Sequence, residues 1–67
     1  MVSSRFKGIN RHGNGWQARI RVDGKQVGLG TFGWEIDAAI CYNVHAGYYF
    51  GEFARLNRIP DGEYPHD

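Results

Sequence analysis

The feature that most constrains this chain is the run Trp16-Gln17-Ala18-Arg19-Ile20-Arg21-Val22, set between two turn signals, Gly13-Asn14-Gly15 and Asp23-Gly24. Side chains alternate across a strand. Trp16, Ala18, Ile20 and Val22 therefore share one face, and Gln17, Arg19 and Arg21 share the other. Asn-Gly and Asp-Gly favour the positive backbone angles of tight hairpins, so a strand is expected on each side of this one. The following strand runs from Lys25 to Leu29, with Val27 and Leu29 on the apolar face and Gln26 opposite. The preceding strand runs roughly from Phe6 to His12, with Ile9 turned inward. The result is a three-stranded antiparallel meander.

A sheet with one apolar face needs a cover, and a helix over about Glu35 to Phe50 provides it. At 3.6 residues per turn, Ala38, Ala39, Tyr42, Ala46 and Tyr49 fall on one stripe, and the alanines allow close approach. Glu35 and Asp37 occupy the first turn, where the helix dipole favours acids. Gly51 stops the helix. Beyond it, Phe53 and Leu56 can return to the core. The expected fold class is α+β, a three-stranded antiparallel sheet packed on one face by a single C-terminal α-helix. With 67 residues, the chain makes one domain with a marginal core, here 4–57, followed by a polar C-terminal tail, 58–67.

One face of the sheet stays open, and its residues bear on function. Asn10 and His12 come from strand one, Gln17, Arg19 and Arg21 from strand two, and Gln26 from strand three, with Lys7 and Lys25 near the edges. Arginine pairs bidentately with guanine, and Asn or Gln with adenine. A β-sheet can carry such groups into the major groove. Arg5, Lys7, Arg11 and Lys25 suit phosphates, which position a protein without specifying sequence. Charge is distributed accordingly. Residues 1–30 hold six basic side chains against Asp23, and residues 31–67 hold two against six acids, giving about +5 and −4 from a net +1. That asymmetry suits a polyanion. The bland alternative is a solvated strand face, which Arg19 and Arg21 taken alone also fit.

Through Ser4-Arg5-Phe6-Lys7-Gly8-Ile9, Gly15-Trp16-Gln17-Ala18-Arg19-Ile20 and Leu29-Gly30-Thr31-Phe32, the sequence resembles the apetala-two/ethylene-response-factor DNA-binding domain family. The matching residues continue with Ala38-Ala39 and Tyr42, then Gly51 and Ala54-Arg55-Leu56-Asn57. The run Tyr49 to Asn57 is most similar to bacterial and phage members, in which the domain often trails an HNH homing endonuclease. The resemblance implies a sequence-specific double-stranded DNA-binding module that reads the major groove with its sheet. Such a module serves as the targeting domain of a homing endonuclease or as a small transcription regulator. By position, Lys7 and Gly8 match the backbone-contacting start of strand one. Arg19 and Arg21 match contact positions on strand two, and Gln26 one on strand three. Asn10 and His12 stand where plant members often carry arginines. Three departures follow. The first hairpin is about one residue shorter, Gly28 replaces an aromatic contact residue, and Arg19 replaces a common glutamate. The preferred DNA sequence therefore does not carry over.

Other chemistry finds little support. Gly28-Leu29-Gly30-Thr31-Phe32-Gly33 spells a dinucleotide fingerprint, but the fingerprint needs a parallel βαβ unit that hairpin-linked strands do not supply. His12, His45 and His66 lack ligand spacing and Cys41 has no partner cysteine, so no metal and no cofactor is expected. Neither a catalytic constellation nor an HNH core is recognisable, so the isolated chain is not expected to be an enzyme. The open face lacks the aromatics that stack unpaired RNA bases. No signal peptide or membrane span is expected, and a single cysteine fits a reducing compartment. That compartment is the cytoplasm of a bacterial or phage-infected cell, or the nucleus if the source is eukaryotic. A second functional class uses the far side of the helix, where Trp34, Ile36, Ile40, Val44 and Tyr48 would form an interface for a homodimer or a neighbouring domain. The alternative there is scattered surface apolar residues.

Overall fold

The computed structural model describes residues 5–59. Strands β1 (Ile9–His12), β2 (Gly15–Val22) and β3 (Lys25–Phe32) form an antiparallel sheet in the order β1-β2-β3, followed by helix α1 (Glu35–Phe50) and a 3₁₀ turn (Gly51–Phe53). The α+β architecture is the expected one. Residues 1–4 and 60–67, which include Ser4 of the expected domain and most of the expected tail, lie outside the described residues.

Both hairpins have two-residue loops. Val22 pairs with Lys25, and Asp23 and Gly24 both take positive φ, 51° and 80°, as a type I′ turn requires. The first loop differs from its sequence signal. His12 pairs with Gly15, and the positive φ, 59°, falls on Gly13 rather than on the Asn-Gly pair. A glycine at the first central position is the type II′ pattern. Gly15 thereby belongs to β2, where a Cβ would stand 2.6 Å from the Phe32 carbonyl oxygen.

Strand β1 is shorter than expected, because the chain turns at Gly8 (φ 79°) before pairing begins. A Cβ on Gly8 would run into the Tyr42 ring and lie 2.7 Å from the Arg19 carbonyl oxygen. Strand β3 is longer, since the glycines at its end do not stop it. Ala18 pairs with Gly30 and Arg19 with Gly28, so Leu29 is the extra residue of a bulge. The bulge shifts the alternation by one residue. Leu29 still packs against the core, while Thr31 pairs with Gln17 and Phe32 with Trp16.

The core gathers Phe6, Ile9, Ala18, Ile20, Ile36, Ala38, Ala39, Tyr42 and Ala46. Truncating Ile9 or Ile20 to Ala should cost about 2–5 kcal/mol. Helix α1 has Trp34 as N-cap, Glu35 and Asp37 in its first turn, and Gly51 as C-cap with φ 57°, its N–H donating to the Gly47 carbonyl. Three expectations about this region are corrected. Ile36 is buried rather than outward, because it lies only about 60° round the helix from Ala39 and a buried stripe is wider than four positions. Tyr49 is exposed, since burial ends at Ala46 and the last turn runs past the sheet. Phe53 and Leu56 are exposed too, and Ala54 and Ile59 return to the core instead.

Asparagines lock that return in place. Asn57 Oδ1 accepts from the Lys7 amide at 2.6 Å, and Asn57 Nδ2 donates to the Lys7 carbonyl at 2.9 Å. The Asn57 amide donates to Asn43 Oδ1 at 2.7 Å, and Asn43 Nδ2 donates to the Asn57 carbonyl at 2.8 Å. One residue thus ties helix, C-terminal segment and entry to β1 together.

Candidate nucleic-acid interface

Strand pairing determines which side chains share the open face. The row Asn10–Gln17–Thr31 comes first, then Arg19 opposite Gly28, then Arg21 opposite Gln26. His12 follows Asn10 on the same side at the first hairpin. No acid stands among these described positions. Asn10, His12, Arg19, Arg21, Gln26 and Thr31 are exposed, while Gln17 is half-buried. The two flanking rows point the other way. Ile9–Ala18 and Ile20–Val27 face the helix.

Arg19 organises the centre. Its Nε donates to Gln17 Oε1 at 3.1 Å, and its guanidinium lies 3.4 Å from Gln26 Oε1. Gly28, directly across from Arg19, leaves open space where a Cβ would be. The arginine reaches across the sheet to a glutamine seven residues away. The Arg19 amide donates to the Gly8 carbonyl at 2.8 Å, which ties this strand position to the Lys7–Gly8 corner. A guanidinium held by two amide oxygens keeps spare donors, since arginine has five N–H groups. Both glutamine amide nitrogens remain as donors. Such an arrangement can recognise planar acceptors pressed onto the sheet.

The structure does not bring every expected site residue to this face. Arg11 pairs with Trp16 on the helix side, its guanidinium 5.2 Å from the Trp16 ring centroid and its Nε donating to the Gly13 carbonyl at 3.3 Å. Lys25 pairs with Val22, also in a helix-side row, at the opposite end of the sheet. Arg5 lies 4.0 Å from Glu35 at the start of α1 and 4.8 Å from the Phe6 ring centroid. Lys7 is exposed at the corner, its backbone occupied by Asn57. Gly8 faces Tyr42 and Arg19, so its place in the site is structural. Thr31 joins the open face, and the sequence reading missed it because the glycines around Leu29 read as the end of the strand.

On the far side of the helix, Trp34, Val44 and Tyr48 are exposed, Ile40 is half-buried against the core, and Ile36 is inside it. Among the described residues, no three His, Cys, Asp or Glu converge as a metal site. None of their helices is long and apolar enough to cross a membrane. No protein-family model matches the chain.

Proposed function

We propose that this chain is a sequence-specific double-stranded DNA-binding module that lays the open face of its sheet in the major groove. The observation that carries the reading is the Arg19 guanidinium held between Gln17 and Gln26 at the centre of an acid-free face. Preorganised Arg and amide side chains are the groups that read base edges. Arg21 and Asn10 flank the centre, and Lys7 marks a corner suited to phosphate. The domain binds without cleaving. It serves either as the targeting part of a homing endonuclease or as a small regulator of transcription, in line with the family it resembles.

The test is selection from a randomised duplex, with binding followed at two salt concentrations. The reading expects an enriched motif of a few base pairs and an affinity that falls as salt rises, through release of counterions from the phosphates. Salt-sensitive binding without a motif would refute sequence reading. An absence of binding at low salt would refute the reading altogether.

A further inference from the structure

Arg19 and Arg21 stand in successive rows of the open face, and they are held differently. Arg19 Nε donates to Gln17 Oε1 at 3.1 Å, and Arg19 Nη1 donates to Gln26 Oε1 at 3.4 Å. The Arg21 side chain meets no hydrogen-bond or ion-pair partner among the described residues. The two holders differ as well. Gln26 is exposed, whereas Gln17 is half-buried in the middle strand, between the exposed Asn10 and Thr31. The place of Gln17 on the open face suggested a contact with bases, but its carbonyl oxygen is given to Arg19.

That bonding decides which edge of Arg19 is free. A guanidinium offers two forks of parallel N–H donors, Nε with Nη2 along one side and Nη1 with Nη2 at the far end. The bond to Gln17 occupies Nε and closes the first fork. Gln26 takes one of the two Nη1 protons, so Nη1 keeps the other and Nη2 keeps both. The far end remains. In the major groove a pair of donors fits guanine, whose O6 and N7 both accept, whereas adenine sets an amino donor beside its N7.

We propose, resting on the DNA reading above, that Gln17 is a positioning residue and not a base contact: with Gln26 it holds Arg19 so that the far end of the guanidinium reads one guanine. An unheld arginine must be ordered when DNA arrives, at a cost of about 2- to 12-fold in affinity. Gln17 does that ordering beforehand. A held far end also turns its donors on the amino group of an adenine, so the hold sharpens discrimination as well as affinity.

Gln17→Met keeps the length of the side chain and removes the acceptor. In ¹⁵N spectra of the free chain, the Arg19 Nε proton should exchange with water more slowly than that of Arg21, and Gln17→Met should abolish the difference. Selection with the parent and with Arg19→Ala locates the base that Arg19 reads, which should be guanine. Replacing that guanine by adenine should weaken the parent about 5- to 150-fold. Gln17→Met should lose about 2- to 12-fold on the guanine duplex and little on the adenine duplex, so the ratio falls. Gln17→Glu, whose carboxylate accepts the same proton, should restore the ratio at lower overall affinity. In an Arg19→Ala background, Gln17→Met should change neither duplex. Should Gln17→Met unfold, Gln26→Met at its exposed position carries the same expectation. A loss shared equally by both duplexes, or one that persists without Arg19, overturns the proposal. So does a base other than guanine under Arg19, or a parent whose Arg19 Nε proton exchanges as fast as that of Arg21. Those outcomes, with an enriched motif in hand, leave the DNA reading standing; a parent that binds no duplex refutes that reading and the guanine with it.

Discussion

Removing the Asn57 side chain should destabilise the domain by about 1–2 kcal/mol. Asn57→Ala deletes the hydrogen bonds to the Lys7 amide and carbonyl, at 2.6 and 2.9 Å. Each neutral bond contributes about 1 kcal/mol net, and because Lys7 is exposed its freed groups return to water without a burial penalty. Asn43→Ala deletes the other two bonds, at 2.7 and 2.8 Å, from a partly buried position. That loss of about 2 kcal/mol is offset by about 0.5 kcal/mol of improved helix propensity. The two pairs of bonds hold one residue, so losing either frees the segment that makes the other. The double variant should therefore cost less than the sum of the singles, by about 0.5–1 kcal/mol. Urea unfolding followed by tryptophan fluorescence measures all three. For a domain of this size each kcal/mol also lowers Tm by about 4–8 °C. An Asn57→Ala chain within about 0.3 kcal/mol of the parent, or strictly additive singles, would refute the idea that these four bonds act as one clamp.

The remaining predictions concern the two faces and the thiol. Arg19→Ala should weaken binding to the selected duplex by about 1–3 kcal/mol and relax one base position, whereas Arg11→Ala, on the helix side, should leave duplex affinity nearly unchanged in the same titration. Gly28→Ala should leave stability unchanged or raise it by up to about 1 kcal/mol, since its φ is not positive and a Cβ meets nothing. In a duplex titration the same variant should bind nearly as tightly as the parent, because no atom of Arg19 lies within 4 Å of the added methyl group. Burial pushes the Cys41 thiol above its ordinary pKa, so its alkylation at pH 8 should be slower than that of free glutathione. The unfolded thiol ionises first as pH rises, so whatever stability Cys41 contributes is present at neutral pH and is lost in alkali as pH climbs towards the folded pKa.

Local alternation made the centre of the fold legible. Residues 16–22 announce both faces of β2, and pairing with neighbours on either side follows from the turn residues. The same logic places Arg11 on the Ile9 side, although its charge alone suggested a phosphate contact. The bulge was harder to see. In Gly28-Leu29-Gly30 the glycines resemble a strand end, yet glycine inside a strand equally marks a bulge, and only the register shows that the strand runs on one residue out of phase, with Thr31 on the open face and Phe32 towards the helix. The Asn43–Asn57 contact lies beyond any local pattern, since it joins residues 14 apart whose polarity suggests only surface. Ile36 was within reach of the helical wheel, about 60° from Ala39, whereas Phe53 and Leu56 lie beyond the helix, where no periodicity says which residues the returning chain buries.

The central claim is that the open sheet face is the DNA surface, and a titration of the ¹⁵N-labelled chain with the selected duplex tests it residue by residue. The amide and side-chain signals of Asn10, Gln17, Arg19, Arg21, Gln26 and Thr31 should shift together, while those of Val44 and Tyr48 stay in place. Shifts concentrated on the outer face of α1, with the sheet signals unmoved, would contradict the account.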